Sequence, residues 1–228
     1  MIKNVIGISA VLLYLGGCAA PMQTKIEAYP LMYTPNKPVS MIIVPAINET
    51  TAADAGSLLN VTVSQPFANH GYYVMPVPII ADIFNSEGIL DGQQAKSIPP
   101  SLFKEKFGAD SVMFMTIEEW DKNYAVLAGN VTVGIEYVLM STETSAILWS
   151  YEQRIVIDTT SSSGNIFADL VATAISTAST KYIPIASKVH QTAVVAMPYG
   201  GYHPNSGTDG AVKSVKIEAK ENALIIED

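Results

Sequence analysis

The chain has 228 residues, a formal net charge of −8, 15% charged residues and one cysteine. With 13 lysines and arginines and no basic cluster, it lacks the positive surface that nucleic acid or anionic headgroups attract. One cysteine excludes an intrachain disulfide, so stability rests on burial, and a chain this long buries roughly 70–75% of its unfolded surface.

Lys3 opens a short basic stretch, Val5 to Leu15 is uncharged and nearly all apolar, and Gly16 and Gly17 follow. A basic start, a short apolar core and small residues make a secretory signal peptide. The run is shorter than the about 20 residues that span a bilayer. Leu15-Gly16-Gly17-Cys18 looks like a bacterial lipobox. The Cys18 sulfur would take a diacylglycerol, and cleavage would fall between Gly17 and Cys18. A plain signal peptide with a chance cysteine is the weaker alternative, because Cys18 has no other cysteine to pair with. Each buried methylene contributes about 0.8 kcal/mol, so two or more acyl chains anchor stably. Ala19 stands where an aspartate would signal inner-membrane retention, which implies the outer membrane, facing the periplasm.

Residues 18–38 carry Pro21, Pro30, Pro35 and Pro38 without helical period, and read as a lipidated extended tether. The folded domain is expected over 39–207. "VSMIIVPAI" (39–47) reads as a strand buried on both faces. "NETTAADAG" is a polar loop with cap residues Asn48, Thr50, Thr51 and Asp54. Residues 55–69 predict a helix interrupted near Pro66 and closed at Gly71. "YYVMPV" (72–77) predicts a strand, "PIIADIFNSEG" a helix, and "PSLFKEKFG" a second helix with proline at its start and Gly108 past its end. "DSVMFMTIEEW" predicts a third strand. The alternating runs 123–142 and 145–158 form a hairpin about "TETS", with Ile135, Tyr137 and Leu139 on one face and Glu136 and Val138 on the other. A helix follows, with Ile166, Leu170, Ala174, Ile175 and Ala178 in one stripe and Pro184 bending or ending it. "MPYGGYHPNSGTDG" is loop, and 208–228 is an extension, an edge strand or a disordered tail. The order implies a single α/β domain with a mixed β-sheet and flanking helices, its early strands parallel and its late ones paired as hairpins.

Chemistry is sparse. His70, His190 and His203 have no metal-ligand spacing, and neither a GxSxG elbow nor a phosphate-binding glycine loop is present. Ser161-Ser162-Ser163 reads as a helix cap. Glu118 and Glu119 could suggest a glycosidase pair. Neighbours on a regular strand point to opposite faces, however, so they could not flank one bond. No enzyme, metal or cofactor is expected. Aromatic residues favour binding instead: Tyr72-Tyr73 opens a strand, and "PYGGYHP" (198–204) offers Tyr199, Tyr202 and His203 as candidate partner contacts. The competing reading packs that loop back on its own domain.

Together with the lipobox, the segments "TVSQPFANHGYYVMPV" (62–77), "FGADSVMFMTI" (107–117), "LWS" (148–150) and "PYGGYHP" resemble a family of bacterial lipoproteins of unknown function. The resemblance implies a fold like the N-terminal domain of TolB, and a partner in an outer-membrane assembly such as a CsgG-like lipoprotein. It supplies no catalytic residues. The expected function is a non-enzymatic periplasmic adaptor or accessory subunit. The alternatives are a regulator docking on a peptidoglycan synthase and, last, an envelope hydrolase. Nucleic acid is not an expected partner.

Overall fold

The computed structural model describes residues 23–124, 129–158, 182–213 and 224–225. A mixed sheet in the order β3-β1-β4-β5-β6-β7 runs through it, with β2 beside β4. β1 (Ser40–Ile43) pairs in parallel with β3 (Tyr73–Val74) and with β4 (Ser111–Tyr124). Pro45 has no N–H for the ladder, so the expected strand 39–47 is split, and β2 (Ile47–Asn48) resumes beside β4. As expected, β1 is buried on both faces. Met41 and Ile43 enter one core, and Ile42 and Val44 enter another.

The larger core lies under α2 (Ala55–Thr62), α3 (Ser64–Asn69) and α7 (Ile183–Ala196). The predicted helix over 55–69 breaks at Val63, which places Pro66 in the first turn of α3 where its missing N–H costs nothing. Phe67, Tyr137 and Trp149 meet in this core at ring separations of 6.0–6.5 Å. On the other face, α4 (Val77–Ser86) and α6 (Pro100–Phe107) supply Ile80, Phe84 and Phe103. Gly88 and Gly108 follow these helices with φ of 78° and 70°, a region in which a side chain is strained. Between them lies α5 (Gly92–Lys96), which the sequence reading lacks.

β4, β5 (Gly129–Ser141) and β6 (Ile147–Asp158) form a long antiparallel ribbon. The predicted turn holds, with Ser145 at φ 58°. So does the face assignment: Ile135, Tyr137 and Leu139 are buried, while Glu136 and Val138 are half-buried opposite them. The expected single run 123–142 divides, because residues 123–124 belong to β4. Pro184 opens α7 instead of ending a helix, which suits its fixed φ and absent donor. The stripe from Ile166 to Ala178 and the triplet Ser161–Ser163 lie outside the described residues. β7 (Leu224–Ile225) pairs in parallel with Ile155 and Val156 of β6.

The ends of the domain differ from expectation. Residues 25–33 are not extended: α1 (Lys25–Ala28) and the 3-10 turn Pro30–Tyr33 pack on the sheet, burying Tyr29 and Met32. Pro30 starts the 3-10 turn, where proline is tolerated, so the prolines that suggested a tether here punctuate folded structure. Likewise, residues 208–213 are not a free tail. The Lys25 and Ile26 amides donate to the Val212 and Gly210 carbonyls at 2.8 and 3.0 Å, and Thr24 bridges to Lys213.

Candidate functional site

Loop 197–210 folds back over the start of β3. Tyr72 donates its hydroxyl to the Pro198 carbonyl at 2.8 Å, and the Gly200 and Tyr202 amides donate to the His70 and Gly71 carbonyls at 3.0 and 2.9 Å. Glycine is required on both sides of this approach. Gly71 has φ 95°, and a Cβ there would strike the His203 backbone; a Cβ on Gly200 would strike the Gly71 carbonyl. The Tyr199 and His203 rings stack in parallel at 3.8 Å, and His70 tilts against Tyr199 at 4.8 Å.

Beneath the stack lies a buried ion pair. Lys25 and Asp209 are each 4% exposed, with Nζ 3.0 Å from Asp209 Oδ2 and 2.7 Å from the Met197 carbonyl. Asp209 also accepts from the Tyr199 amide and, through Oδ1, from the Tyr33 hydroxyl at 3.1 Å each. A buried pair persists only when its remaining hydrogen-bond capacity is satisfied, and these contacts do that. The Lys25 ammonium also lies 5.4 Å from the Tyr199 ring centroid, within cation–π range. Burial pushes the Tyr33 and Tyr72 hydroxyls up, with the Asp209 charge adding to it. Burial holds the His70 imidazole below its ordinary value, against the opposing bond to Met197. His70 Nε2 faces a carbonyl at 2.8 Å, so that nitrogen carries the proton.

The structure thus brings together His70, Tyr199 and His203, but Tyr199 is half-buried in an internal stack. Tyr202, 71% exposed, is the aromatic that the loop presents to solvent. Tyr72 is buried and Tyr73 exposed. Gly17 and Cys18 lie outside the described residues. The Lys25–Asp209 hub was missed in the sequence. The two residues stand 184 positions apart, and nothing local marks either.

His190 lies apart from this site, fully buried on α7. Its Nε2 sits 3.1 Å from the Leu59 carbonyl and its Nδ1 2.9 Å from the Tyr137 hydroxyl. A carbonyl can only accept, so Nε2 carries the proton and Nδ1 accepts from Tyr137.

The expected geometry of Glu118 and Glu119 is corrected. A bulge between Ile117 and Glu119 shifts the register so that Glu119 pairs with Gly134, and alternation is lost there. Glu119 lies on the outer face of the ribbon, gripped by Arg154 through two bonds of 2.6 and 2.9 Å. Glu118 neighbours Glu152 and Glu136, and its carboxyl is pushed up by burial and then by those two charges. Both carboxylates therefore serve the same sheet face, but Glu119 is occupied by an arginine. Among the described residues no group of three or more His, Cys, Asp or Glu side chains could hold a metal ion. Among them, too, no helix is long and apolar enough to cross a membrane.

A family model described as "Putative lipoprotein GNA1162-like" matches residues 31–198. The chain belongs to this family. Membership places it among lipoproteins, which are held to a membrane through lipid. A relative from Neisseria meningitidis serogroup B, "Putative lipoprotein NMB1124/NMB1162", is 24% identical over 168 residues, covering 74% of this chain and 77% of the relative. The crystal structure of lipoprotein GNA1162 from Neisseria meningitidis superposes with a TM-score of 0.52 at 24% identity, over 60% of this chain and 96% of that one. This likeness shows the shared fold. A PelC dodecamer from Paraburkholderia phytofirmans is more distant, at a TM-score of 0.43 and 17% identity over 69% of this chain and 85% of that one.

Proposed function

We propose that this protein is a non-enzymatic adaptor of a bacterial envelope assembly, anchored at the outer membrane through lipid on Cys18 after cleavage behind Gly17. Its partner is another envelope protein, with a CsgG-like lipoprotein as the first candidate. Membership of a lipoprotein family carries this reading, and the Leu15–Cys18 motif supports it at the residue level. The contact is assigned to the loop of Tyr199, Tyr202 and His203. Tyr202 projects from a backbone fixed by the hydrogen bonds to His70 and Gly71, and an exposed tyrosine on a rigid support suits an interface hot spot.

The test is photo-crosslinking in intact cells from a probe at Tyr202, with a second probe at Leu90, exposed on another loop. A CsgG-like lipoprotein recovered from position 202 alone supports the adaptor. A peptidoglycan synthase recovered instead moves the regulator to first place. Cys18→Ala with undiminished palmitate labelling would overturn the anchor.

A further inference from the structure

We propose that one end of the domain, the end where β1, β3 and β4 begin, lies against the bilayer, with Ile26, Leu31, Ile147 and Val212 as its apolar contact. The inference rests on lipid at Cys18, and it puts the Tyr202 loop, which is at this end too, beside the membrane, so that a partner meeting Tyr202 must itself stand in that membrane. Thr24 is fixed to the domain by its bridge to Lys213, and the Lys25 amide by its bond to Val212. Only six peptide units separate Cys18 from Thr24. At ~3.3–3.6 Å each, they reach about 20 Å however they run. The docked N-terminal segment thus shortens the leash from the ~70 Å that an extended chain to residue 39 would allow, and Thr24 cannot stand further than that short reach from the acylated cysteine.

The end of the sheet beside Thr24 is identified by its contacts. Gly201 packs on Val39, just before β1, and the Gly200 and Tyr202 amides bind His70 and Gly71, just before β3. The β5–β6 turn is at the same end. Thr142 binds the Asp110 and Ala109 carbonyls ahead of β4, and Ile147 opens β6. Ala28–Leu31 and Ile147–Ser150 line a shallow groove there, with Leu31 43% and Ile147 58% exposed. Ile26, beside Gly210, and Val212 add exposed apolar side chains next to the point where the chain leaves for the lipid. Exposed apolar groups held this close to a headgroup region gain by entering it. Leu90 is also exposed, but it neighbours Gly92, which packs against Pro45 and Ile47 beyond the other end of β1.

The experiment places nitroxide labels on the full lipidated protein in vesicles of phosphatidylethanolamine and phosphatidylglycerol. Single variants Ile26→Cys, Leu31→Cys, Ile147→Cys and Val212→Cys are compared with Leu90→Cys, since acylation leaves Cys18 unreactive. Collision with oxygen against a nickel chelate is read by power saturation. The oxygen-to-nickel ratio should rise in vesicles over detergent at the four positions and stay unchanged at Leu90. Five equal, water-like values overturn the inference. So does protection of both kinds that grows with protein density, because a second copy then covers the surface. Intact mass on the same samples separates the two premises. An unacylated Cys18 overturns the lipid reading and the inference with it; an acylated Cys18 with water-like labels overturns the inference alone.

Discussion

A fully buried imidazole makes this fold less stable in acid. Burial brings the His190 pKa down to about 4, against an opposing bond to the Leu59 carbonyl. An unfolded histidine titrates near ~6.5. Between those values the unfolded chain binds a proton that the folded chain refuses. The His190 contribution to stability is therefore complete above about pH 6.5 and declines as pH falls toward 4, by about 3 kcal/mol in total. Denaturant titrations of wild type and His190→Phe across this range should show a steep pH dependence in the first and a flatter one in the second. Equal slopes would mean that another group governs the acid limb. The glycines facing each other across the loop act by shape alone. Gly200→Ala should displace residues 198–203 at a cost of about 1–3 kcal/mol. Hydrogen exchange at the Gly200 and Tyr202 amides should accelerate, since both donate across that approach.

Among the elements, the N-terminal segment depends most on one side chain. Removing one partner of a buried pair strands the other, which costs about 3–5 kcal/mol. Lys25→Met should therefore destabilise the domain by about 3 kcal/mol in urea titration and open residues 24–33 to limited proteolysis. Lys25→Met with Asp209→Asn should recover much of that loss, because no charge is then left uncompensated. Elements with local punctuation were legible in the sequence. α6 has proline at its start and Gly108 after its end, and the β5–β6 turn sits between two alternating runs. The segment 25–33 was not, because what holds it is a carboxylate at position 209. Nor was α5 legible, a helix of 5 residues whose signal is the capping box of Asp91 with Gln94. The bulge at Glu118 was hidden for a different reason: Gly134, on the partner strand, leaves room for Glu119, and no local pattern reports a cross-strand partner. Of the candidate site, the aromatic loop was visible, while its division into a stacked Tyr199 and an exposed Tyr202 depended on tertiary contacts.

For the whole molecule, the distance to the membrane separates the two binding roles. β4 has 14 residues and extends about 45 Å at ~3.3 Å per residue. If Cys18 carries the lipid, even the far end of the ribbon stays within some tens of ångströms of the bilayer. On that reading a partner embedded in the same membrane is within reach, and one at the opposite membrane would call for a longer leash. Inserting about 15 Gly/Ser residues between Cys18 and Thr24 lengthens the r.m.s. reach from about 13 Å to about 25 Å without touching the domain. For an adaptor of a membrane-embedded assembly, quantitative in-cell crosslinking from Tyr202 should then fall, because the effective concentration near the partner drops. Fractionation with the membrane should not change, since the lipid is intact. For a regulator of a distant synthase the same insertion should raise crosslinking, because added length relieves a leash too short to span the gap. The sign of that single change distinguishes the roles.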